Sequence, residues 1–142
     1  MTAFDTSAAT HLLNTAFAPW VLDLDLSVES LGDASAAIRM RFSNKLCRDN
    51  GVICGQSLMA LADTAMVIAV ARANGSYLPM TTVDQTSHFL KPASRTDIVA
   101  EARIIRLGKT MAFATVSMRP VDDERPVALA QAAFALLRDA TA

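Results

Sequence analysis

The stretch that decides the fold is Leu58-Met-Ala-Leu-Ala-Asp-Thr-Ala-Met-Val-Ile-Ala-Val-Ala71. Apart from Asp63 and Thr64 every residue in it is apolar, so a helix here is apolar on nearly every face and is predicted to be the core helix. An ionised carboxylate is costly in such surroundings unless it is paired, or unless a raised pKa serves chemistry. Asp63 is therefore either a structural residue satisfied by hydrogen bonds or a reactive group.

The residues before this helix, 51–57, read Gly-Val-Ile-Cys-Gly-Gln-Ser and are predicted to form a loop that turns tightly into the helix start. A helix N-terminus presents unpaired N–H groups and a partial positive charge, which favour a developing oxyanion. A carboxylate in an apolar helix, together with a glycine-containing helix entrance, indicates acyl chemistry. The structural interpretation of Asp63 stays open at this point, because polar groups in cores are usually satisfied by hydrogen bonds.

The composition limits the class of protein. We expect one domain over residues 1–142, long enough to bury a sizeable core. Apolar residues make up 52% of the chain and charged residues 19%, and an oligomer interface is the simplest place for this apolar excess. The net charge is −1 with both signs interspersed, so nucleic acid is not an expected partner.

Location and cofactors follow from what the sequence lacks. The apolar stretch 51–71 contains Gln56, Ser57 and Asp63, so it lacks the roughly 20 apolar residues of a membrane span, and no membrane partner is expected. No signal peptide is visible, and Cys47 and Cys54 are too close together for a useful disulfide, so we expect a cytoplasmic protein. No metal-ligand spacing occurs, and neither a metal nor an organic cofactor is expected.

Hydrophobic periodicity predicts the order of the secondary-structure elements. Residues 5–18 read as a short helix ended by Pro19, and apolar alternation predicts a hairpin of two strands over 20–42. The long helix is predicted over 55–73, with its end near Asn74-Gly75. Four strands follow, at 80–90, 98–107, 110–118 and 127–137, the last despite its many alanines. An antiparallel sheet of about six strands wrapped around one long helix is the α+β hotdog arrangement.

Two segments carry a resemblance to a known family. Gly51-Val-Ile-Cys-Gly-Gln is followed by Asp63, nine residues after Cys54, and Phe89-Leu-Lys-Pro ends a predicted strand. They resemble the hotdog-fold acyl-CoA thioesterases of the phenylacetate-degradation type, in the 4-hydroxybenzoyl-CoA thioesterase-like superfamily. The pattern of that family is Asn…Gly-x-x-His-Gly-Gly…Asp, followed by Phe-Leu-x-Pro. The resemblance covers about residues 20–137 and implies hydrolysis of acyl-CoA thioesters with medium-chain or aryl acyl groups.

The resemblance also implies roles for individual residues. Asp63 corresponds to the catalytic carboxylate, acting as nucleophile or as general base on water. Gly55 corresponds to the residue whose backbone N–H polarises the thioester carbonyl, and Thr82 to a hydroxyl residue that orients the attacking group. The turn that contains Arg106, Gly108 and Lys109 is implied to contact the CoA moiety. Lys91 and Arg95 are alternative contacts to its phosphates.

Three positions depart from the family pattern. Cys54 occupies the histidine position and Gln56 that of the second glycine, while the family Asn falls on Arg48, with Asn50 nearby. A thiol is a poor donor to a carbonyl, so we expect Gln56 or Asn50 to take over that contact with the substrate, or the activity to be reduced. The alternative is that Cys54 itself is a nucleophile, since helix N-termini activate thiols, but no base stands beside it in the sequence.

The spacing of Cys54 and Asp63 predicts a shared site without reference to any family. Nine residues are 2.5 helical turns, so the helix entrance and the carboxylate are about half a revolution out of phase and about 13 Å apart. If both serve one reaction, they come from different subunits of a homo-oligomer, a symmetric dimer or a dimer of dimers. The rival hypothesis, suggested by the missing histidine, is a non-catalytic hotdog protein that binds acyl-CoA or a related ligand. A hotdog dehydratase would need His88 beside the acid.

Overall fold

The structure, a computed structural model, describes residues 4–138. The helices are α1 (Thr6–Thr15), α2 (Pro19–Leu22) and α3 (Gly55–Asn74), and a turn of 3-10 helix lies at Asn44–Leu46. The strands are β1 (Leu26–Leu31), β2 (Ser35–Met40), β3 (Met80–Phe89), β4 (Ile98–Leu107), β5 (Met111–Pro120) and β6 (Ala128–Leu136). The predicted α+β hotdog architecture, a six-stranded antiparallel sheet around one long helix, is confirmed.

The sheet has the strand order β1-β2-β4-β5-β6-β3, and every neighbouring pair is antiparallel. α3 lies against one face of this sheet and contacts all six strands. The central strands carry small buried side chains that let the helix approach closely: Ala100, Ala102, Ala112, Ala114, Ala130 and Ala132. β6 is a strand in spite of the helix propensity of alanine, because its backbone pairs with both β5 and β3. β1 and β3 are left as the two edges.

α3 forms the centre of the core, and over residues 64–71 every side chain is buried. Among the described helices, α3 is the one that is long and apolar enough to cross a membrane. A buried core helix meets the same criteria of length and composition. α3 ends where the sequence predicts, because Gly75 adopts a left-handed conformation with φ 88°. The Gly75 N–H bonds the carbonyls of Ala71 and Arg72 at 3.0 and 3.2 Å, and glycine reaches this φ without a Cβ penalty.

The N-terminal region differs from the sequence prediction. α1 ends at Thr15, residues 19–22 form the short helix α2 instead of the start of a strand, and β1 begins only at Leu26. Pro19 does not end a helix but begins one, because its fixed φ and missing N–H suit the first helical position. Asp25, with a positive φ of 59°, then separates α2 from β1. The predicted hairpin is therefore shorter than 20–42, although its pairing of β1 with β2 is as expected.

Candidate active site

Asp63 and Thr82 meet in the fold. Asp63 is half-buried in the middle of α3, and its Oδ1 accepts a hydrogen bond of 2.8 Å from the Thr82 hydroxyl. Thr82 points toward the helix because its cross-strand partner is Phe134, whose side chain is fully buried in the core. Burial raises the pKa of the Asp63 carboxyl above its usual 3.8, and the hydrogen bond from Thr82 lowers it by a smaller amount.

An open cavity of about 340 Å³ adjoins this carboxylate. On α3 its lining residues recur at helical spacing and so share one face of the helix: Gln56, Met59, Ala60, Asp63 and Thr64. The other lining residues come from the N-terminal region and from β3: Phe17, Trp20, Val21 and Gln85. A carboxyl with a raised pKa beside a largely apolar cavity is the combination that marks a functional site.

The entrance of α3 begins at Gly55, and the ring of Phe89 lies over it. A Cβ built on Gly55 would stand 3.2 Å from Cζ of this ring, tighter than ordinary contact, so a larger residue would displace the ring. As the first residue of the helix, Gly55 has no intrahelical acceptor for its N–H. Within residues 4–138 no other backbone carbonyl accepts a hydrogen bond from it either. The N–H remains available to a ligand oxygen.

The helix entrance and the carboxylate are separated within one chain. Gly55 and Asp63 are eight residues apart on α3, a rise of about 12 Å. Their neighbours on β3 are equally distinct, since Phe89 covers Gly55 while Thr82 bonds Asp63. Gln56, in contrast, lines the same cavity as Asp63. One chain therefore brings together Asp63, Thr82 and Gln56, but not the Gly55 amide.

Two other residues predicted near the substrate lie at the helix entrance or before it. Cys54 is half-buried at the N-cap position, and its side chain makes no hydrogen bond to the helix N-terminus. Asn50 is exposed in the preceding loop, where its Oδ1 accepts from the Val52 N–H at 3.3 Å, and it does not line the cavity. Of Cys54, Asn50 and Gln56, only Gln56 lines the Asp63 cavity of its own chain.

The predicted CoA-contacting turn connects β4 to β5, away from the Asp63 cavity of its own chain. Arg106 pairs with Phe113 and lines a different cavity of about 430 Å³, together with Ile105 and Asp84. Gly108 closes the turn with an N–H bond of 2.8 Å to the Met111 carbonyl, and a Cβ at Gly108 would stand 3.0 Å from that oxygen. Lys109 is exposed, and its carbonyl accepts from Arg138 Nε at 2.9 Å.

Several cavity residues are absent from the sequence analysis. Gln85 donates through Nε2 to the Met59 carbonyl and to Ser87 Oγ, both at 3.2 Å, and so joins β3 to α3. Gln85 faces the same side of the strand as Thr82 only because of a bulge at Val83. A strict two-residue period places the two side chains on opposite faces, so the sequence pattern did not predict this. Trp20 and Phe17 had no signal, because their role depends on α2 folding back on α3.

Two further side chains take no part in the Asp63 site. Met66, an apolar residue of α3 like Met59, is fully buried in the core and lines no part of this cavity. His88 pairs with Leu129 and is exposed, at a position that alternates with the helix-facing Phe89. It therefore points away from Asp63, which removes the support for a dehydratase. No group of His, Cys, Asp or Glu suited to a metal ion occurs within residues 4–138.

The comparisons with known proteins identify the family of the chain. Residues 50–127 match the family model described as the thioesterase superfamily. The chain is also 31% identical to "Putative esterase VNG_1336C" of Halobacterium salinarum, over 98% of this chain and 99% of that relative. The chain belongs to the thioesterase superfamily, and thioester hydrolysis is supported as its general activity.

Solved structures show the same fold over nearly the whole chain. The PaaI protein of the E. coli phenylacetic acid degradation operon superimposes with a TM-score of 0.81 at 18% identity, covering 96% of each chain. Zebrafish thioesterase superfamily member 2 superimposes with a TM-score of 0.82 at 21% identity, covering 93% of this chain and 98% of its own. At these identities the likeness establishes the hotdog fold.

Proposed function

We propose that the protein hydrolyses acyl-CoA thioesters with medium-chain or aryl acyl groups, releasing the free acid and CoA. The observation that carries the proposal is the hydrogen-bonded Asp63–Thr82 pair beside a largely apolar cavity. A carboxylate whose pKa is raised by burial is a stronger base than an exposed one, and general-base catalysis gains from that shift. The apolar cavity wall suits an acyl group.

Two chemical routes use the same residues. As a general base, Asp63 takes a proton from water, the water oxygen attacks the thioester carbon, the C–S bond breaks, and the sulfur leaves as the CoA thiol after taking a proton. As a nucleophile, Asp63 attacks the carbon itself, CoA leaves, and water hydrolyses the mixed anhydride. Thr82 holds the carboxylate in place in both routes. Negative charge develops on the carbonyl oxygen, and one N–H donor such as that of Gly55 is worth about 3–4 kcal/mol.

The proposal includes a site shared between two chains. β3 is an edge strand with one neighbour, and it carries exposed apolar side chains at Val83 and Phe89. Uncovered edges of this kind invite pairing with another strand. Because Val83 is a bulge, Thr82 and Phe89 lie three ladder positions on either side of Thr86, opposite Phe134 and Ala128 of β6. An antiparallel pairing of two β3 strands about Thr86 would bring the Asp63–Thr82 pair of one chain to the Gly55–Phe89 contact of the other.

The same arrangement bears on the CoA moiety. Arg106, Gly108 and Lys109 lie outside the Asp63 cavity of their own chain, so we propose that they contact CoA from the partner chain of a dimer, or of a dimer of dimers. Exposed Lys91 and Arg95 are the alternatives. A cytoplasmic location is also proposed, in keeping with two free thiols at Cys47 and Cys54.

A second candidate function is binding of acyl-CoA, or a related ligand, without hydrolysis. The observation that favours it is Cys54, because the helix entrance lacks the imidazole that the resemblance places there. Without a strong side-chain donor at the entrance, the Gly55 N–H and Gln56 are the groups left to polarise a carbonyl.

A panel of acyl-CoA thioesters, followed by release of free thiol, separates the two functions. We expect the wild-type protein to release CoA from at least one of hexanoyl-, octanoyl-, benzoyl- and phenylacetyl-CoA. Saturable binding of these compounds, measured by calorimetry, without release of thiol from any of them would establish the binding function instead. If the protein neither binds nor hydrolyses any of these compounds, both candidate functions are overturned.

A further inference from the structure

The cavity beside Asp63 has two chemically different sides. Its polar lining groups belong to α3 and β3: Gln56, Asp63, Thr64 and Gln85. Met59 and Ala60 of α3 add apolar surface, and the N-terminal region supplies an apolar wall: Phe17, Trp20 and Val21. These three residues lie before the segment that matches the thioesterase family model, residues 50–127, so the wall is a feature that the family match does not cover.

Trp20 is the most unusual residue of this wall. Its side chain is 59% exposed, although tryptophan has one of the largest apolar surfaces of any residue. It stands on α2, a helix of a single turn held between Pro19 at its start and the left-handed Asp25 after it. The backbone on both sides sets the bounds of α2, and α2 carries the indole to the cavity, where it is left without a full set of apolar contacts.

A smaller cavity of about 60 Å³ adjoins the first one. The two share the lining residues Phe17, Val21 and Thr64, and the smaller one is also lined by apolar Leu13 and Leu26 and by polar Asn14 and Asp25. The Thr64 hydroxyl donates its proton to the Ala60 carbonyl at 2.8 Å, so it offers these cavities only an acceptor oxygen. The larger cavity is near the lower end of the range of about 300–1,000 Å³ usual for small-molecule sites.

We propose that the acyl group of the thioester lies between α2 and α3, and that Trp20 is a specificity-determining residue that packs on it. This inference rests on the proposed hydrolysis, since it assigns the thioester to the Asp63 side of the cavity and the hydrocarbon to the α2 side. The small volume of the larger cavity favours aryl or medium-length acyl groups over long chains. An acetyl group carries a single methyl beyond the carbonyl, so we expect it to leave the indole without a contact.

The first test compares acyl groups in variants of Trp20. In Trp20→Ala we expect kcat/KM for phenylacetyl-CoA and hexanoyl-CoA to fall about tenfold, as loss of one aromatic contact predicts, while that for acetyl-CoA changes less than about twofold. Trp20→Phe should restore most of the loss. Tyr77→Ala removes another exposed aromatic, on the loop after α3, and should leave all three substrates unchanged.

The second test needs no turnover. Trp20 is the only tryptophan of the chain, so its fluorescence reports on this wall alone. In Asp63→Asn we expect phenylacetyl-CoA to shift the emission saturably, while CoA without an acyl group leaves it unchanged. Equal shifts by CoA and by phenylacetyl-CoA, or none by either, would overturn the assignment of the acyl group.

The two tests also separate this inference from the proposed function. If the wild type hydrolyses these thioesters and Trp20→Ala does so equally well, the proposed role of Trp20 is wrong and the proposed hydrolysis is retained. Absence of hydrolysis together with the fluorescence shift overturns the proposed enzyme and keeps the acyl site. If Trp20→Ala changes the subunit number measured by light scattering, the indole covers an interface between chains, and the proposal is wrong.

Discussion

The two halves of α3 have similar apolar sequences and opposite surroundings. Residues 64–71 are all buried, whereas in residues 55–63 Gln56 and Met59 are exposed and Asp63 is half-buried. The exposed face of the first half lies beside β3, an edge strand with one neighbour, and beside the short α2. The first half thus carries the site while the second anchors the core, and the edge of the sheet, rather than the hydrophobicity of the helix, makes this difference.

The largest effect is expected at Asp63. Asp63→Asn keeps the shape and the acceptor for Thr82 but removes the base, so CoA release should fall at least about a hundredfold. Free thiol release gives the rate, and urea unfolding should show a stability at neutral pH that is unchanged or higher, because the buried charge is gone. Asp122→Asn, at an exposed position between β5 and β6, is the matched control and should behave as wild type. Near wild-type turnover in Asp63→Asn would make the carboxylate structural.

The free energy of unfolding should depend more on the second half of α3, residues 64–71, than on the first. Ile68 is fully buried, and Ile68→Ala should lower the free energy of unfolding by about 2–5 kcal/mol through the cavity that it leaves. Met59 is 44% exposed, and Met59→Ala should cost less than about 1 kcal/mol. Urea denaturation of the two variants at one protein concentration checks this. Equal losses would show that the first half of α3 is covered in solution, most simply by a second chain.

The shared site is tested by mixing inactive variants. Gly55→Pro removes the N–H at the first helical position, where the backbone suits proline although the new ring displaces that of Phe89. Asp63→Asn removes the carboxylate. After subunit exchange, mixed dimers should each hold one intact site, so activity should return to about a quarter of wild type. Native mass spectrometry of the mixed variants, which detects mixed dimers directly, is the control for exchange. No recovery despite exchange between folded variants would place the entrance and the carboxylate of one chain in the same site.

The pH dependence should carry the signature of a buried acid. Because the folded-state pKa of Asp63 is raised above 3.8, the folded chain binds this proton more tightly than the unfolded chain. The contribution of Asp63 to stability is therefore fully present below 3.8 and is lost as pH rises through the folded pKa. The rate needs the ionised form, so kcat/KM should fall toward acid with a midpoint above 3.8. A midpoint at or below 3.8 would contradict a buried base.

The smallest effect is expected at Cys54. Its side chain makes no hydrogen bond at the helix entrance, so Cys54→Ala should change turnover by less than about twofold. Cys54→His should preserve or raise the rate, because an imidazole is a better donor to a carbonyl than a thiol. Rates on one acyl-CoA measure both. An acyl-cysteine adduct seen by mass spectrometry, or loss of hydrolysis in Cys54→Ala, would make the thiol a participant.

Local features of the sequence were sufficient for most of the fold. The end of α3 at Asn74-Gly75, and the turn at Gly108 between two strands, were predicted because capping and turn chemistry act within a few residues. The same locality explains the error around Pro19, where Leu22 and Leu24 alternate as in a strand while the proline favours a helix start. Two local signals conflicted there, and α2 formed.

The sequence by itself determined that α3 is the core helix and that Asp63 is the exceptional charge within it, because apolar periodicity and composition are properties of one segment. Only the tertiary structure decided that Thr82 bonds Asp63, that Met66 faces the core, and that α2 supplies one wall of the cavity. The cavity joins residues 17–21, 56–64 and 85, which no local pattern connects. Their meeting depends on the sheet order, which leaves β3 at an edge, and sheet order is settled by long-range pairing rather than by neighbours in the chain.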